Sequence, residues 1–245
     1  MLPGLATVLP IAQNGDGFVR DPADEATSCV AKNDTICIDW ALENLDRYVE
    51  PTLEHLLLVG LSIVFGFALA FGLGLLSHRR RWLVPTFTGL TGVLYTLPSI
   101  ALFTLLLPIT GRGTWTAVIA LTLYTLQIIY RNMVNGLLGV PGAAKDAGRG
   151  MGMTDRQLLW RVELPLALPE IVAGLRIATV STVAIATLAV FAGAGGLGAE
   201  IYNDISFKTG IVMAGGIAIL MAIALDLALV GAQRFLTPWR RVRPV

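Results

Sequence analysis

Lys145, Asp146, Arg149, Asp155, Arg156, Arg161 and Glu163 lie close together in AAKDAGRGMGMTDRQLLWRVELPLA, residues 143–167. Both charge signs occur on a helix-like pattern. Such a segment suits recognition of another protein surface better than bond-making chemistry, and a long loop of this kind is a docking surface before it is a linker. Elsewhere the chain offers little for catalysis. There is no G-x-x-x-x-G-K-[ST] phosphate loop; Gly193–Gly198 (GAGGLG) is glycine-rich without the lysine and suits a tight turn or gate before a short segment at Ala199–Ile205. The two histidines, His55 and His78, stand at the ends of apolar runs, and no Ser-His-Asp set or metal-ligand cluster accompanies them.

Composition decides what must position this loop. Hydrophobic residues make up 55% of the 245 and charged residues only 14%, against roughly 25% charged in a soluble domain. A net charge of +1 gives no bulk field toward nucleic acid. Crossing a bilayer takes about 20 apolar residues. Runs of that kind are expected at about 56–77, 83–109, 114–129, 170–191 and 210–230, with Pro85, Pro98 and Pro108 in or at the edge of the second. The expected fold is therefore all-α: a polytopic membrane protein of five transmembrane helices, since backbone groups in lipid must be satisfied within the segment.

Five spans put the termini on opposite sides. Arg79–Arg81, Arg131, the loop at 141–169 and the tail (Arg234, Arg240, Arg241, Arg243) share one face, which the positive-inside rule assigns to the cytoplasm. The N-terminus, with ten acids in residues 1–55 against Arg20, Lys32 and Arg47, then lies outside. The expected divisions are an outer acidic segment 1–55, a membrane domain 56–237 and a basic tail 238–245.

Within the outer segment, Leu2–Ala12 is apolar but too short to span and has no basic lead, so a surface segment is expected. Ile38–Leu53 carries Trp40, Leu42, Leu45, Tyr48 and Val49 at helical spacing and reads as an interfacial helix broken near Pro51. Cys29 and Cys37 are the only cysteines; in an oxidising compartment they suit a disulfide closing a small loop, while a metal site would need His or further Cys nearby.

Local signals in the loop predict helix over 143–148, a glycine-bearing turn through Gly148, Gly150 and Gly152, and a second helix, Asp155–Glu163, capped by Thr154 and closed by Pro165 and Pro169. Two ionisable residues fall inside spans, Arg176 and Asp226, at similar depth, and are expected to pair. Stapling of the fourth and fifth helices is the plainer role, a substrate contact the alternative.

At this point the residues resemble a family. Permeases of bacterial ABC importers carry a cytoplasmic signature of E-A-A, three residues, G, nine residues, I, one residue and L-P. Asp146-Ala147-Gly148, then Arg149-Gly150-Met151, Gly152, nine residues, Val162, Glu163 and Leu164-Pro165 fit that spacing without a gap. Asp for Glu and Gly for the second Ala depart from it, and Val for Ile is conservative. The resemblance covers about residues 52–237. Within the family, AGRGMGMTDRQLLWRVELPLALPEIVAGLR, LYTLPSIALFTLLLPITG and AGAGGLGAEIYNDI look like the osmoprotectant branch, which imports glycine betaine, carnitine or choline.

The resemblance implies a multi-pass inner-membrane permease that is not itself an enzyme and binds no cofactor. It would pair with a second copy or paralogue, rest on two cytoplasmic ATPase subunits holding ATP and Mg, and receive solute from a separate outer binding protein. Asp146, Ala147, Gly148, Arg149, Met151, Gly152 and Thr154 would form the ATPase-coupling element, with Leu164 and Pro165 seating it on the membrane; turn and cap chemistry alone would also account for them. Tyr95, Pro98, Phe103 and Tyr124 are candidates for the translocation path, although aromatic residues in spans more often pack or anchor. A methionine-type permease is the second reading, and a non-transporting scaffold or sensor a third.

Overall fold

A computed structural model describes residues 28–238. Helix α1 (Ile38–Glu43) leads through a 3-10 turn at Asp46–Tyr48 into α2 (Val49–Arg79). Then follow α3 (Leu83–Thr96), α4 (Ser99–Thr110), α5 (Thr114–Leu138), α6 (Gly142–Gly150) and α7 (Asp155–Leu158). A π turn at Leu159–Glu163 joins α7 to α8 (Leu164–Ala186), which ends in a 3-10 turn at Thr187–Ala192. The short α9 (Leu197–Asn203) precedes α10 (Lys208–Leu236). Among the described residues four helices are long and apolar enough to cross a membrane, or five counting α3 and α4 as one broken span. The apolar segment at Leu2–Ala12, four outer acids (Asp16, Asp21, Asp24, Glu25) and the tail arginines Arg240, Arg241 and Arg243 lie outside the described residues.

Helix α5 is the axis: 67% of its apolar stretch is buried, against 11% for α10 at the periphery. It packs on α2, α3, α4 and α8. What lets α2 approach it is a ridge of small residues, Ser62, Gly66, Ala70 and Gly74, at four-residue spacing and all buried. A Cβ at Gly66 would collide with Thr125 Oγ1, and one at Gly74 with Met133 Sδ. Without a hydrophobic drive between helices in lipid, such close packing and interhelical hydrogen bonds such as Thr125 Oγ1 to Ser62 O (3.3 Å) and Ser62 Oγ to Val118 O (3.5 Å) hold the pair.

The structure corrects several expected boundaries, and position within a helix is the reason each time. The second span is not one helix over 83–109: α3 and α4 meet at 97°. Pro98 has no N–H to give and drives Leu97 into an extended conformation (ψ 133°), so the ladder breaks there. Pro51, by contrast, sits in the first turn of α2, where amides lack partners anyway, so the break falls earlier, at Asn44–Leu45. Pro165 and Pro169 likewise do not close the second loop helix. The π turn already interrupts the i→i−4 ladder ahead of Pro165, and the path runs continuously from Asp155 to Ala192. Helix α5 also continues past Ile129, through Tyr130-Arg131-Asn132, to Leu138.

Candidate functional site

The polar loop folds as two short helices crossing at a glycine. Helix α6 includes Gly148 and Gly150, so the turn proper is Met151–Met153, where Gly152 has φ 77°. That conformation is left-handed, open to glycine and strained for most other residues. Met153 N–H closes the turn on Gly148 O at 3.2 Å. Thr154 then caps α7: its Oγ1 accepts from Gln157 N–H at 3.3 Å while the Gln157 side chain accepts from Thr154 N–H at 2.9 Å, a reciprocal capping box. Gly148 is buried against α7; a Cβ there would lie 2.6 Å from Leu158 Cδ1. An alanine there, as in the signature, would require the Leu158 side chain to move.

The outer face of this element is open. The side chains of Asp146 and Arg149 are 77% and 62% exposed and only loosely paired, 3.8 Å apart one turn along α6. An exposed pair of that kind contributes about 0–1 kcal/mol, leaving both charges free for another surface. Ala147 and Met151 are exposed beside them, Met151 at 69%. The inner face is sealed: Leu159, Leu164 and Ala167 are buried with Met133, Leu137, Val140 and Ile171. Pro165 is half-buried and borders a groove shared with Phe67, Phe71 and Trp160.

Glu163, one of the loop charges in the sequence, turns inward to that face. Glu163 is only 4% exposed. Its Oε2 lies 3.1 Å from His78 Nε2 at the end of α2, and its Oε1 3.8 Å from Lys145 Nζ of α6. Among the described residues no donor is aligned on Oε2 for a hydrogen bond. Lys145 Nζ also donates to Leu137 O at 3.4 Å, meeting a carbonyl left open at the end of α5. The sequence shows the charge of Glu163 but not its depth.

In the membrane part, Arg176 Nε and Nη2 donate to Asp226 Oδ1 and Oδ2 at 2.8 and 2.9 Å, a two-pronged bridge between α8 and α10. Asp226 also borders an apolar groove of about 680 Å³ between these helices, lined by Val180, Val183, Ala184, Gly215 and Ala218. At the α3–α4 bend, Tyr124 Oη donates to Leu97 O, satisfying a carbonyl near the break, and the Tyr95 ring meets Tyr124 edge-on at 5.8 Å. Tyr95, Pro98 and Tyr124 therefore gather at one place. Phe103 is fully buried, packed with Leu102, Ala117 and Leu121.

At the other end, Cys29 and Cys37 are joined in a disulfide. The loop between them clasps the start of α10. Asn33 accepts from Lys208 N–H (2.9 Å) and donates to Ser206 O (2.8 Å), and Thr209 Oγ1 donates to Asp34 O (2.8 Å). Free amides at a helix N-terminus are thus met from far along the chain. Trp40 stands edge-on to Phe207 at 4.7 Å, and Arg47 bridges Glu200 and Asp204 at 2.7 and 3.1 Å. Ile38 and Leu42 of α1, Leu45 in the break, and Val49 and Leu53 of α2 remain exposed.

Comparison with known proteins agrees with this architecture. Residues 62–242 match the family described as binding-protein-dependent transport system inner membrane component. The chain is 39% identical over 208 residues to the osmoprotectant import permease protein OsmW of Salmonella typhimurium, covering 82% of this chain and 97% of that one. It is 36% identical over 198 residues to the carnitine transport permease protein OpuCB of Listeria monocytogenes (80% and 91% covered). With the choline transport system permease protein OpuBB of Bacillus subtilis the identity is 35% over 203 residues (82% and 94% covered). Among solved structures, a chain of the MetNI methionine ABC transporter superposes with a TM-score of 0.67 at 25% identity, covering 85% of this chain and 100% of that one. With most of its length matched, helices that suit a bilayer and a polar loop between two spans, the chain belongs to the family of binding-protein-dependent transport system inner membrane components.

Proposed function

We propose that this chain is the permease subunit of an ATP-driven importer for a small compatible solute of the glycine betaine, carnitine and choline class. The observation that carries the reading is the loop at 142–165. It has a sealed inner face, a capped turn and an outward face of Asp146, Ala147, Arg149 and Met151 that is exposed among the described residues. Two ATPase subunits, holding ATP and Mg, would dock there from the cytoplasm, one on each of two paired permeases. A separate binding protein would deliver solute to the opposite, acidic face, where residues 28–55 stand. The basic residues Arg79–Arg81 and Arg131 support this orientation, with the N-terminus outside. The substrate class is supported by 35–39% identity to osmoprotectant, carnitine and choline permeases. A methionine permease shares the fold at lower identity and is the less favoured reading.

Uptake of labelled glycine betaine against labelled methionine, in cells lacking their own systems and supplied with this chain and its partners, tests the substrate. Betaine uptake is expected; methionine uptake alone would overturn the assignment. Docking is tested separately by co-purification. Met151→Asp is expected to release the ATPase, and an ATPase that binds this variant as well as the original would sink the loop's role.

A further inference from the structure

The contacts of Glu163 join three elements that the sequence keeps apart: the end of α2 through His78, the loop helix α6 through Lys145, and the π turn that carries Glu163 itself. We propose that Glu163 is the positioning residue through which displacement of α6 reaches the first membrane span. The proposal rests on the reading of 142–165 as the ATPase-docking element.

Three observations carry it. Helix α6 packs chiefly on α7 and the π turn, so this junction is its main route to the bundle. The junction is built on a π turn, a rare, wide helical turn that recurs at functional sites and can re-form with a different hydrogen-bond register. Finally, the carboxylate is buried but held below its capacity. Lys145 Nζ stays at 3.8 Å, and His78 Nε2, though 3.1 Å away, is not aligned on Oε2. A purely structural buried carboxylate would be expected to have its hydrogen bonds complete. Here a shift of α6 can gain a bond on one side and lose a contact on the other, which is how a small local movement selects between two packings. His78 stands in the last turn of the helix whose small-residue ridge lies against α5, so the movement arrives at the bundle's axis.

The test uses the full transporter in vesicles, with this chain, its ATPase and its binding protein. It reads two quantities: ATPase co-purified per permease, and labelled glycine betaine moved per ATP hydrolysed. Glu163→Gln keeps the shape and removes the charge. It is expected to retain the ATPase and to lower solute per ATP at least five-fold, while Glu163→Asp recovers the ratio to within two-fold. A stable Glu163→Gln complex with unchanged solute per ATP would overturn the proposal. So would an Asp variant as poor as Gln. If Glu163→Gln does not assemble, Lys145→Met decides: its ratio must fall at least two-fold, and an unchanged ratio rejects the joint. Loss of docking by the unaltered chain would instead count against the loop reading, and absence of betaine uptake against the substrate class.

Discussion

Asp226→Asn tests whether a charge pair at depth holds α8 to α10. Asp226 lies ten residues before the end of α10 at Leu236, which at 1.5 Å per residue is about 15 Å, half of a 30 Å hydrocarbon core. The substitution leaves Arg176 with its guanidinium on an amide instead of a carboxylate. A lone Arg at the centre of a span costs about 2.5–3.5 kcal/mol on insertion scales. The pair is about a third exposed (32% and 29%), so part of that cost is relieved, and about 2–3 kcal/mol is the expected loss. That corresponds to roughly 30- to 150-fold in the folding equilibrium. The Arg176→Gln, Asp226→Asn double variant carries no charge and is expected to recover at least half of it, giving a coupling energy above about 1 kcal/mol. Unfolding of the purified chain by SDS titration, followed by tryptophan fluorescence, reads all four corners of the cycle. Single variants within about 0.5 kcal/mol of the original, with no coupling, would refute the reasoning.

Other perturbations have equally direct outcomes. Gly152→Ala meets no atom within 4 Å but keeps φ 77°, so its whole cost is backbone, about 1–2 kcal/mol, read as faster amide exchange in residues 148–158. Gly198→Ala would place a Cβ 2.0 Å from Thr187 O, a backbone atom that cannot swing aside; a loss of about 3 kcal/mol or more is expected in the SDS titration. Gly72→Ala, with open space around it, should be neutral or stabilising by up to about 1 kcal/mol in the same assay. Opening the disulfide by Cys29→Ser should remove roughly 2–3 kcal/mol of loop constraint and speed exchange at the Lys208 amide, whose acceptor is Asn33. Alkylation with and without reductant, read by mass, checks the bond itself.

What could be read in advance depended on whether residue type or residue position carried the information. Apolar runs announce spans by type alone, and Arg176 and Asp226 announce each other because depth can be counted from the ends of their spans. Prolines do not work that way. Pro51, Pro98 and Pro165 are chemically alike, yet only Pro98 breaks a span, because only there does the missing amide fall inside an otherwise unbroken ladder. Gly148 shows as a departure from a signature, while its contact with Leu158 is tertiary. The four-residue ridge Ser62, Gly66, Ala70, Gly74 was present in the spacing and is easily lost in a chain this apolar. Glu163 gave no local sign of burial, since its shielding comes from α2, α5 and α6 together.

The fastenings of α10 have a mechanical consequence. The helix is buried only in its first half, at Thr209, Gly210, Ala214 and Ala218. It is secured near its start by Asp34, midway by Arg176, and near its end where Gln233 Nε2 donates to Pro169 O at 3.2 Å. Those three points span 24 residues, about 36 Å, and the lower two both belong to α8. A rod stitched at that many heights is a seam, not a pivot. The lower parts of α8 and α10 are therefore bound to move together, while the clasp of residues 28–37 ties the start of α10 to the outer segment like a latch.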